Sequence, residues 1–231
     1  MIDIIAVKKD YILQEKQLYN VLTYLPIEKQ NKIRKFRKIE DVQKAIISDL
    51  LVRTNIIKKL GLKNENILLK KNHFGKPFLK DFDNFHFNVS HSDEWIVCAF
   101  NDSSIGIDVE KIKQIDYKIA ERFFSKQEYE ALLDRESSQR LMFFYDLWTL
   151  KESYIKAIGI GLSIPLNSFS FIFSENGHIK VTTENDYGDY NFKQYNIDEN
   201  YKMSVCSNNN YFPQNVTIKK VDEIFDEMLR V

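Results

Sequence analysis

Cysteine, proline and glycine are scarce in this 231-residue chain, which has 2 Cys, 4 Pro, 7 Gly and no net charge. Two cysteines do not make a disulfide framework, and Cys98 and Cys206 each lie in an apolar run, as is typical of buried free thiols. The balanced charge argues against bulk nucleic-acid binding, which needs a basic surface. No run approaches the ~20 apolar residues of a membrane span, and the N-terminal residues do not form a secretory signal. We therefore expect a cytoplasmic protein without membrane or nucleic-acid partners.

The chain is rich in apolar residues, and its charge is unevenly distributed. It is 44% hydrophobic and contains 17 Phe and 12 Tyr, which is enough for a sizeable core. Residues 28–71 contain 13 Lys and Arg against 5 Asp and Glu. From charge alone a solvated helix face is the favoured interpretation, and a patch for a polyanionic small molecule is the alternative.

The secondary-structure pattern repeats along the chain. Helical periodicity predicts long helices over about 40–60 and 139–158, ended by Gly61 and Gly159. Each is followed by a turn containing Gly and Pro and then by strands, and Asn176-Gly177 predicts a hairpin with a type I′ turn. We therefore predict an α+β fold of two similar halves, 1–104 and 105–231, with a site in the cleft between them. A coincidence of composition is the alternative explanation of the repeat.

Acidic residues stand out in two of the predicted elements. In the strand SIGIDVEKI, Asp108 and Glu110 project from the same face and repel each other unless water or a cation screens them. On the second long helix, Glu152 and Lys156 share a face opposite an apolar stripe. They are either a surface ion pair or a third carboxylate and a lysine facing the first two. Three carboxylates would suit Mg²⁺, a hard cation that prefers oxygen ligands.

Other candidates have both structural and functional interpretations. Glu128 ends the sequence Ser125-Lys126-Gln127-Glu128, which predicts a capping box and competes with a catalytic role. Ser90 and His91 lie at a strand end rich in hydrogen-bond donors, where phosphate oxygens could bind. Lys76 is constrained between a glycine and a proline, which distinguishes it from the other lysines.

Together these residues resemble the 4′-phosphopantetheinyl transferase family, in its long, monomeric, surfactin-synthetase-activating class. The first family signature matches Ile105-Gly106-Ile107-Asp108, and the second matches Trp148-Thr149-Leu150-Lys151-Glu152-Ser153-Tyr154-Ile155-Lys156. GKP at 75–77, FNVSHS at 87–92 and RFFSKQEY at 122–129 also match, so the resemblance extends from about residue 26 to 213. One departure is Lys44, where relatives often carry an arginine; lysine keeps the charge but loses the bidentate fork.

The resemblance implies two α+β halves related by a pseudo-twofold axis. It also implies transfer of 4′-phosphopantetheine from coenzyme A to a serine of carrier-protein domains, with release of adenosine 3′,5′-bisphosphate. The implied Mg²⁺ ligands are Asp108, Glu110 and Glu152, and Lys156 would contact the pyrophosphate. Glu152 or Glu128 would accept the serine proton. The implied coenzyme ligands are Lys29, Lys32, Lys44, Lys76, Ser90, His91, Asp108, Lys151 and Lys156.

Two other functions use the same residues. A magnesium-dependent phosphohydrolase would replace the serine by water. A non-catalytic module would bind coenzyme A or carrier domains without needing all three acids.

Overall fold

The computed structural model describes residues 1–9, 15–174 and 176–230. The first part of the chain forms β1 (Asp3–Lys8), α1 (Glu15–Leu22), α2 (Ile27–Ile33), α3 (Ile39–Leu60), β2 (Leu69–Lys71), β3 (Pro77–Leu79), β4 (His86–Ser92) and β5 (Trp95–Asn101). The second part forms β6 (Ile105–Lys111), α4 (Lys118–Phe123), α5 (Lys126–Leu133), α6 (Ser137–Ile158), β7 (Phe169–Phe173), β8 (Ile179–Thr183), β9 (Asn191–Tyr195) and β10 (Tyr201–Ser207). The chain continues into β11 (Thr217–Lys219) and α7 (Val221–Leu229). Within the described part of the chain, no helix is both long enough and apolar enough to cross a membrane.

The two main sheets have the same strand order. The first sheet is β11-β1-β5-β4 and the second is β6-β10-β9, and β1, β5 and β4 correspond to β6, β10 and β9. In both sheets these three strands are antiparallel. A two-stranded hairpin follows the long helix in each half, β2–β3 after α3 and β7–β8 after α6. The predicted α+β fold of two similar halves is confirmed.

The long helices end as their glycines predict. Helices α3 and α6 have 22 residues each. Gly61 has φ of 65° and Gly159 has φ of 83°, and their amides bond to the carbonyls of Ile57 and Ile155. Only glycine adopts this left-handed conformation at little cost, so it stops the helix where the sequence predicts.

The C-terminal segment, which the predicted boundary assigns to the second half, packs against the first half. Strand β11 pairs in parallel with β1, and α7 packs against α3. The apolar side chains of α7 belong to the core of the first half, and these are Val221, Ile224, Phe225 and Met228. Because α7 is amphipathic, it must bury this face, and α3 packs against it. The second half therefore ends near Ser207, with the last elements returning to the first half.

The β7–β8 hairpin forms, but its turn differs from the prediction. Ser174 donates to the carbonyl of His178 at 2.9 Å, and Gly177 donates to the carbonyl of Ser174 at 2.9 Å. These bonds close a loop of three residues where a type I′ turn has two, with Gly177 at a φ of 80°. Residue 175 of this loop lies outside the described residues.

Candidate active site

The two sheets meet along β4 and β6, which are joined by side chains. Asn88 accepts from the amide of Ile107 at 3.0 Å, and Ser90 donates to Asp108 Oδ1 at 2.9 Å. Ser92 donates to Glu110 Oε2 at 2.9 Å and accepts from the amide of Lys111 at 3.0 Å. Every second residue of β4 thus reaches β6, because alternate strand residues face the same side. These contacts fix the strand with the acidic pair against the first half.

Helix α6 lies directly on β6 at Gly106. A Cβ atom placed at this glycine would lie 2.0 Å from the carbonyl oxygen of Ser153 and 2.4 Å from the nitrogen of Ala157. Both atoms belong to the helix backbone and cannot move aside like a flexible side chain. The glycine of the first signature is therefore required by the close approach of the helix that carries the second signature.

This approach forms a pocket of about 340 Å³ between the halves. Its lining combines residues from both halves, namely Ser90 and His91 of β4, Asp108 and Glu110 of β6, and Trp148, Glu152 and Lys156 of α6. The three carboxylates of the sequence prediction and the lysine therefore line one cavity. Of the six hydrophilic side chains, two come from β4 of the first half and four from β6 and α6 of the second half, as a cleft between the halves requires.

Asp108 and Lys156 are in direct contact at the centre of the pocket. Lys156 Nζ lies 2.6 Å from Asp108 Oδ1 and donates to Ser90 Oγ at 3.0 Å. Asp108 is 2% exposed, and its second oxygen, Oδ2, is buried without a hydrogen-bond partner among the described residues. A buried carboxylate oxygen with no partner is unusual and costs free energy unless another group binds it.

The acidic side chains influence one another. Burial raises the pKa of Glu110 to about 7, with the nearby Asp108 and Glu152 adding to the rise and Ser92 and Lys156 opposing it. Burial and the Asp108 carboxylate raise the pKa of Glu152, against the opposing effect of Lys156. Burial also raises the pKa of Asp108, against the effects of Lys156 and Ser90. Shifts of this kind mark carboxylates withdrawn from water, and for Glu110 and Glu152 the neighbouring carboxylates add to the effect.

The donor set fits a divalent cation, although it is not assembled around one. Asp108, Glu110 and Glu152 offer only oxygen atoms, as a hard cation prefers, and Asp108 Oδ2 is free to bind. Within the described residues, no three His, Cys, Asp or Glu side chains are grouped closely enough to hold a metal ion. The Lys156 ammonium is the cation beside Asp108.

Basic residues approach the pocket from the first half. His91 lies at its edge, and desolvation together with the ammonium groups of Lys44 and Lys156 lowers the pKa of His91 below 6.5. Lys44 also lies 3.8 Å from Asp41. Lys29 is paired with Asp49 at 2.8 Å, whereas Lys32 is exposed on α2. The structure therefore brings Lys44 close to His91 and leaves Lys29 and Lys32 on the flanking helix.

Glu128 and Lys151, for which roles in proton transfer and coenzyme binding are predicted, do not line this pocket. Lys151 is 0% exposed and Glu128 is 3% exposed, and their Nζ and Oε2 atoms are 2.7 Å apart. Lys151 also donates to the carbonyls of Leu166 and Phe169, both at 2.7 Å. The Glu128 carboxylate accepts from the amides of Ser125 and Phe171. Because every donor and acceptor is used inside the core, neither side chain has a surface for substrate.

The ammonium of Lys76 is also engaged elsewhere. It donates to the carbonyls of Ala157 at 2.8 Å and Ile105 at 3.1 Å, and burial lowers its pKa to about 8. The predicted role of Lys76 in binding a coenzyme phosphate stays a prediction. Sequence reasoning missed its neighbour Asn72, which donates to the carbonyl of Gly159 at 2.7 Å. An asparagine three residues before a turn glycine is the sequence signal for this residue.

Carboxylates beside ammonium, imidazole and hydroxyl groups are the chemistry of a phosphoryl-transfer site. Comparison with known proteins identifies the family. The family model described as the 4′-phosphopantetheinyl transferase superfamily matches residues 104–206, and the model of the 4′-phosphopantetheinyl transferase N-terminal region matches residues 12–103.

Individual relatives match over most of their length. The 4′-phosphopantetheinyl transferase Sfp of Bacillus subtilis (strain 168) is 37% identical over 221 residues, covering 96% of this chain and 99% of Sfp. The transferase ffp of Bacillus subtilis is 38% identical over 215 residues, covering 93% and 96%. The transferase gsp of Aneurinibacillus migulanus is 41% identical over 194 residues, covering 84% and 81%. The chain belongs to the 4′-phosphopantetheinyl transferase family and is a transferase.

Proposed function

We propose that the chain transfers the 4′-phosphopantetheine group of coenzyme A to a serine hydroxyl of carrier-protein domains in the pocket between its halves, releasing adenosine 3′,5′-bisphosphate. The observation that carries the proposal is the contact between the two family signatures. Asp108 of the first and Lys156 of the second are 2.6 Å apart in the cavity that Glu110 and Glu152 also line. Two segments distant in sequence thus meet in one site.

The reaction breaks a pyrophosphate bond, so the site must bind and offset negative charge. Lys156 presents an ammonium group to the pocket, and Ser90 offers a hydroxyl beside it. Lys44 extends the positive surface toward α3, beside the imidazole of His91, and Lys29 and Lys32 extend it along α2. These groups support the binding of the phosphates of coenzyme A.

Asp108, Glu110 and Glu152 would hold Mg²⁺ in this pocket. The free Asp108 oxygen and the raised pKa of Glu110 support this assignment, since a cation would relieve both. When bound, the ion supplies charge stabilisation to the pyrophosphate and its leaving group. Lys156, which contacts Asp108 in the ligand-free chain, is then available to bind phosphate oxygens.

We infer that Glu152 accepts the proton of the serine hydroxyl, because it lines the pocket while Glu128 is buried in an ion pair. Burial and Asp108 raise the pKa of Glu152, which makes it a better base than an exposed glutamate. We further infer a monomer, because one chain supplies the pocket residues from both halves. The free and buried Cys98 and Cys206 support a reducing, cytoplasmic location.

Mass spectrometry of a carrier domain incubated with coenzyme A, Mg²⁺ and the protein tests the function. We expect a phosphopantetheine adduct on the serine of the carrier domain. Asp108→Ala should lower the rate by about 100-fold or more, because it removes a pocket carboxylate that contacts Lys156. Asp189→Ala, at an exposed loop position, should retain the wild-type rate and serves as the control.

The same incubation separates the other functions considered for this sequence. Adenosine bisphosphate released without a carrier domain would identify a phosphohydrolase. Binding of coenzyme A without any adduct would identify a binding module. Full activity of Asp108→Ala would remove this residue from the site.

A further inference from the structure

The C-terminal end of α6 is attached to the first half by side chains of the β2–β3 turn. The ammonium of Lys76 donates to the carbonyl of Ala157 in the last turn of the helix and to the carbonyl of Ile105 at the start of β6. Asn72 donates to the carbonyl of Gly159, where the helix ends. The last carbonyls of a helix have no partner within it, so these bonds, together with one from Ser104 Oγ to the Ala157 carbonyl at 2.6 Å, satisfy groups that would otherwise fray.

The contact is tight as well as polar. A Cβ atom at Gly159 would lie 2.8 Å from Lys76 Cδ, so the lysine stem packs on the glycine that ends the helix. Asn72 also accepts from the amide of Lys76 at 2.9 Å, which holds the turn in shape. The turn and the helix end therefore form one packed unit.

We propose that Lys76 is a positioning residue of the transfer reaction, which sets the catalytic end of α6 against the first half through its bonds to Ala157 and Ile105. Lys156 directly precedes Ala157, and Glu152 lies about one turn earlier on the same helix. A displaced helix end would shift both side chains relative to Asp108 and Ser90. The kinetic part of this inference rests on the proposed function.

The geometry favours this role over that of a phosphate ligand. Both observed acceptors of the Lys76 ammonium are main-chain carbonyls. A cavity of about 270 Å³ lies beside the turn and is also lined by Glu152 and Lys156. In this cavity the lysine forms part of the wall, with its charged end directed to the helix terminus.

Lys76→Met removes both bonds while keeping the length of the stem, and its ligand-free form distinguishes the two roles. We expect faster hydrogen–deuterium exchange in peptides covering the last turns of α6 in the absence of coenzyme, because the helix end frays. We expect kcat to fall by about 10-fold or more, with the KM for coenzyme A changed much less. Lys70→Met removes an exposed lysine from the same hairpin and should change neither.

Asn72→Ala provides a second variant, because it releases the same helix end without changing charge. It should also speed exchange in α6 and lower kcat, and its effect should be smaller when Lys76→Met is already present, since the two act on one unit. This variant decides the question if Lys76→Met does not fold.

Unchanged exchange in ligand-free Lys76→Met with a KM for coenzyme A raised about 10-fold would identify a phosphate ligand and overturn the proposal. Faster exchange with unchanged kcat would overturn it as well, leaving a contact that serves stability alone. A wild-type protein without transfer activity would instead refute the proposed function, and the exchange of the ligand-free variants would still show whether Lys76 holds the helix.

Discussion

Asp108 is the residue at which the demands of folding and of catalysis conflict. One of its oxygens bonds to Ser90 and Lys156, and the other is buried without a partner among the described residues. An unsatisfied buried polar atom costs about 1–3 kcal/mol. Sites that bind charged ligands retain such costs, since the ligand supplies the missing contact. The neighbouring carboxylates of Glu110 and Glu152 show the same cost of burial, because their pKa values are raised.

The pKa of Glu110 makes stability depend on pH. In metal-free protein the folded state, with a pKa of about 7, binds more protons than the unfolded state, with a pKa near 4.5. The free energy of unfolding should therefore fall by on the order of 1–3 kcal/mol from this residue as pH rises from 4.5 to 7. Above pH 7 this residue should cause no further change. Urea unfolding in EDTA across this range measures the fall.

Glu110→Gln is the comparison for this measurement, because it keeps the shape of the side chain and removes its titration. The variant should lose this part of the pH dependence and be more stable than the wild type above pH 7. Added Mg²⁺ should stabilise the wild type more than the variant there, since the cation binds the ionised cluster. Identical pH profiles for the two proteins would contradict the shift.

Helix α6 owes its function to having two different buried faces. Its apolar stripe, including Leu147, Leu150 and Tyr154, packs in the core of the second half. The adjoining side carries small residues such as Ser153 and Ala157, which allow the helix backbone to rest on β6. Lys151, beside the apolar stripe, points into the core, and Lys156, opposite the stripe, points into the pocket. The two lysines of one signature thus have separate tasks.

The buried ion pair that joins α5, α6 and β7 should be structural. Glu128→Gln leaves the Lys151 ammonium in the core without its counterion, which should cost about 3–5 kcal/mol of stability. The double variant Glu128→Gln/Lys151→Met should recover part of that loss, because no unpaired charge remains. Urea unfolding measures both, and transfer activity per folded molecule should stay within a few-fold of wild type.

A different result would reassign Glu128. If Glu128→Gln kept its stability but lost transfer activity, proton transfer by this residue would account for the data. The capping box alone does not predict the stability loss, because glutamine can still accept from the Ser125 amide.

Periodicity and spacing allowed much of this arrangement to be predicted from the sequence. Two-residue alternation placed Asp108 and Glu110 on one strand face, and the i, i+4 spacing placed Glu152 and Lys156 on one helix face. Both helix ends followed from their glycines. The partners of Lys76 and Lys151 could not be predicted, because main-chain carbonyls distant in sequence leave no pattern. The three-residue hairpin loop likewise depends on hydrogen-bond register, which the sequence Asn-Gly does not decide alone.

At the scale of the whole molecule, the second half is inserted into the first. The chain leaves the first sheet after β5 and returns to it with β11 and α7. The helix α7 buries its apolar face in the core that α3 and the first sheet build. The terminal residues thus complete the half that contains the basic wall of the pocket.

Two substitutions in α7 test this assignment. Ile224 is 0% exposed in the core of the first half, whereas Leu229 is 56% exposed on the same helix. Ile224→Ala should lower the free energy of unfolding by about 2–5 kcal/mol, because it leaves a cavity among packed side chains. Leu229→Ala should change it by less than about 0.5 kcal/mol. Equal effects in chemical denaturation would show that α7 does not pack as described.

The insertion has a mechanical consequence. Two covalent crossings join the halves, one between β5 and β6 and the other between β10 and β11. Any rotation of one half against the other must therefore bend both crossings and break the bonds from Asn88, Ser90 and Ser92. Such connectivity favours a preformed site, which donor and acceptor molecules enter from its open side, over a site that closes around them.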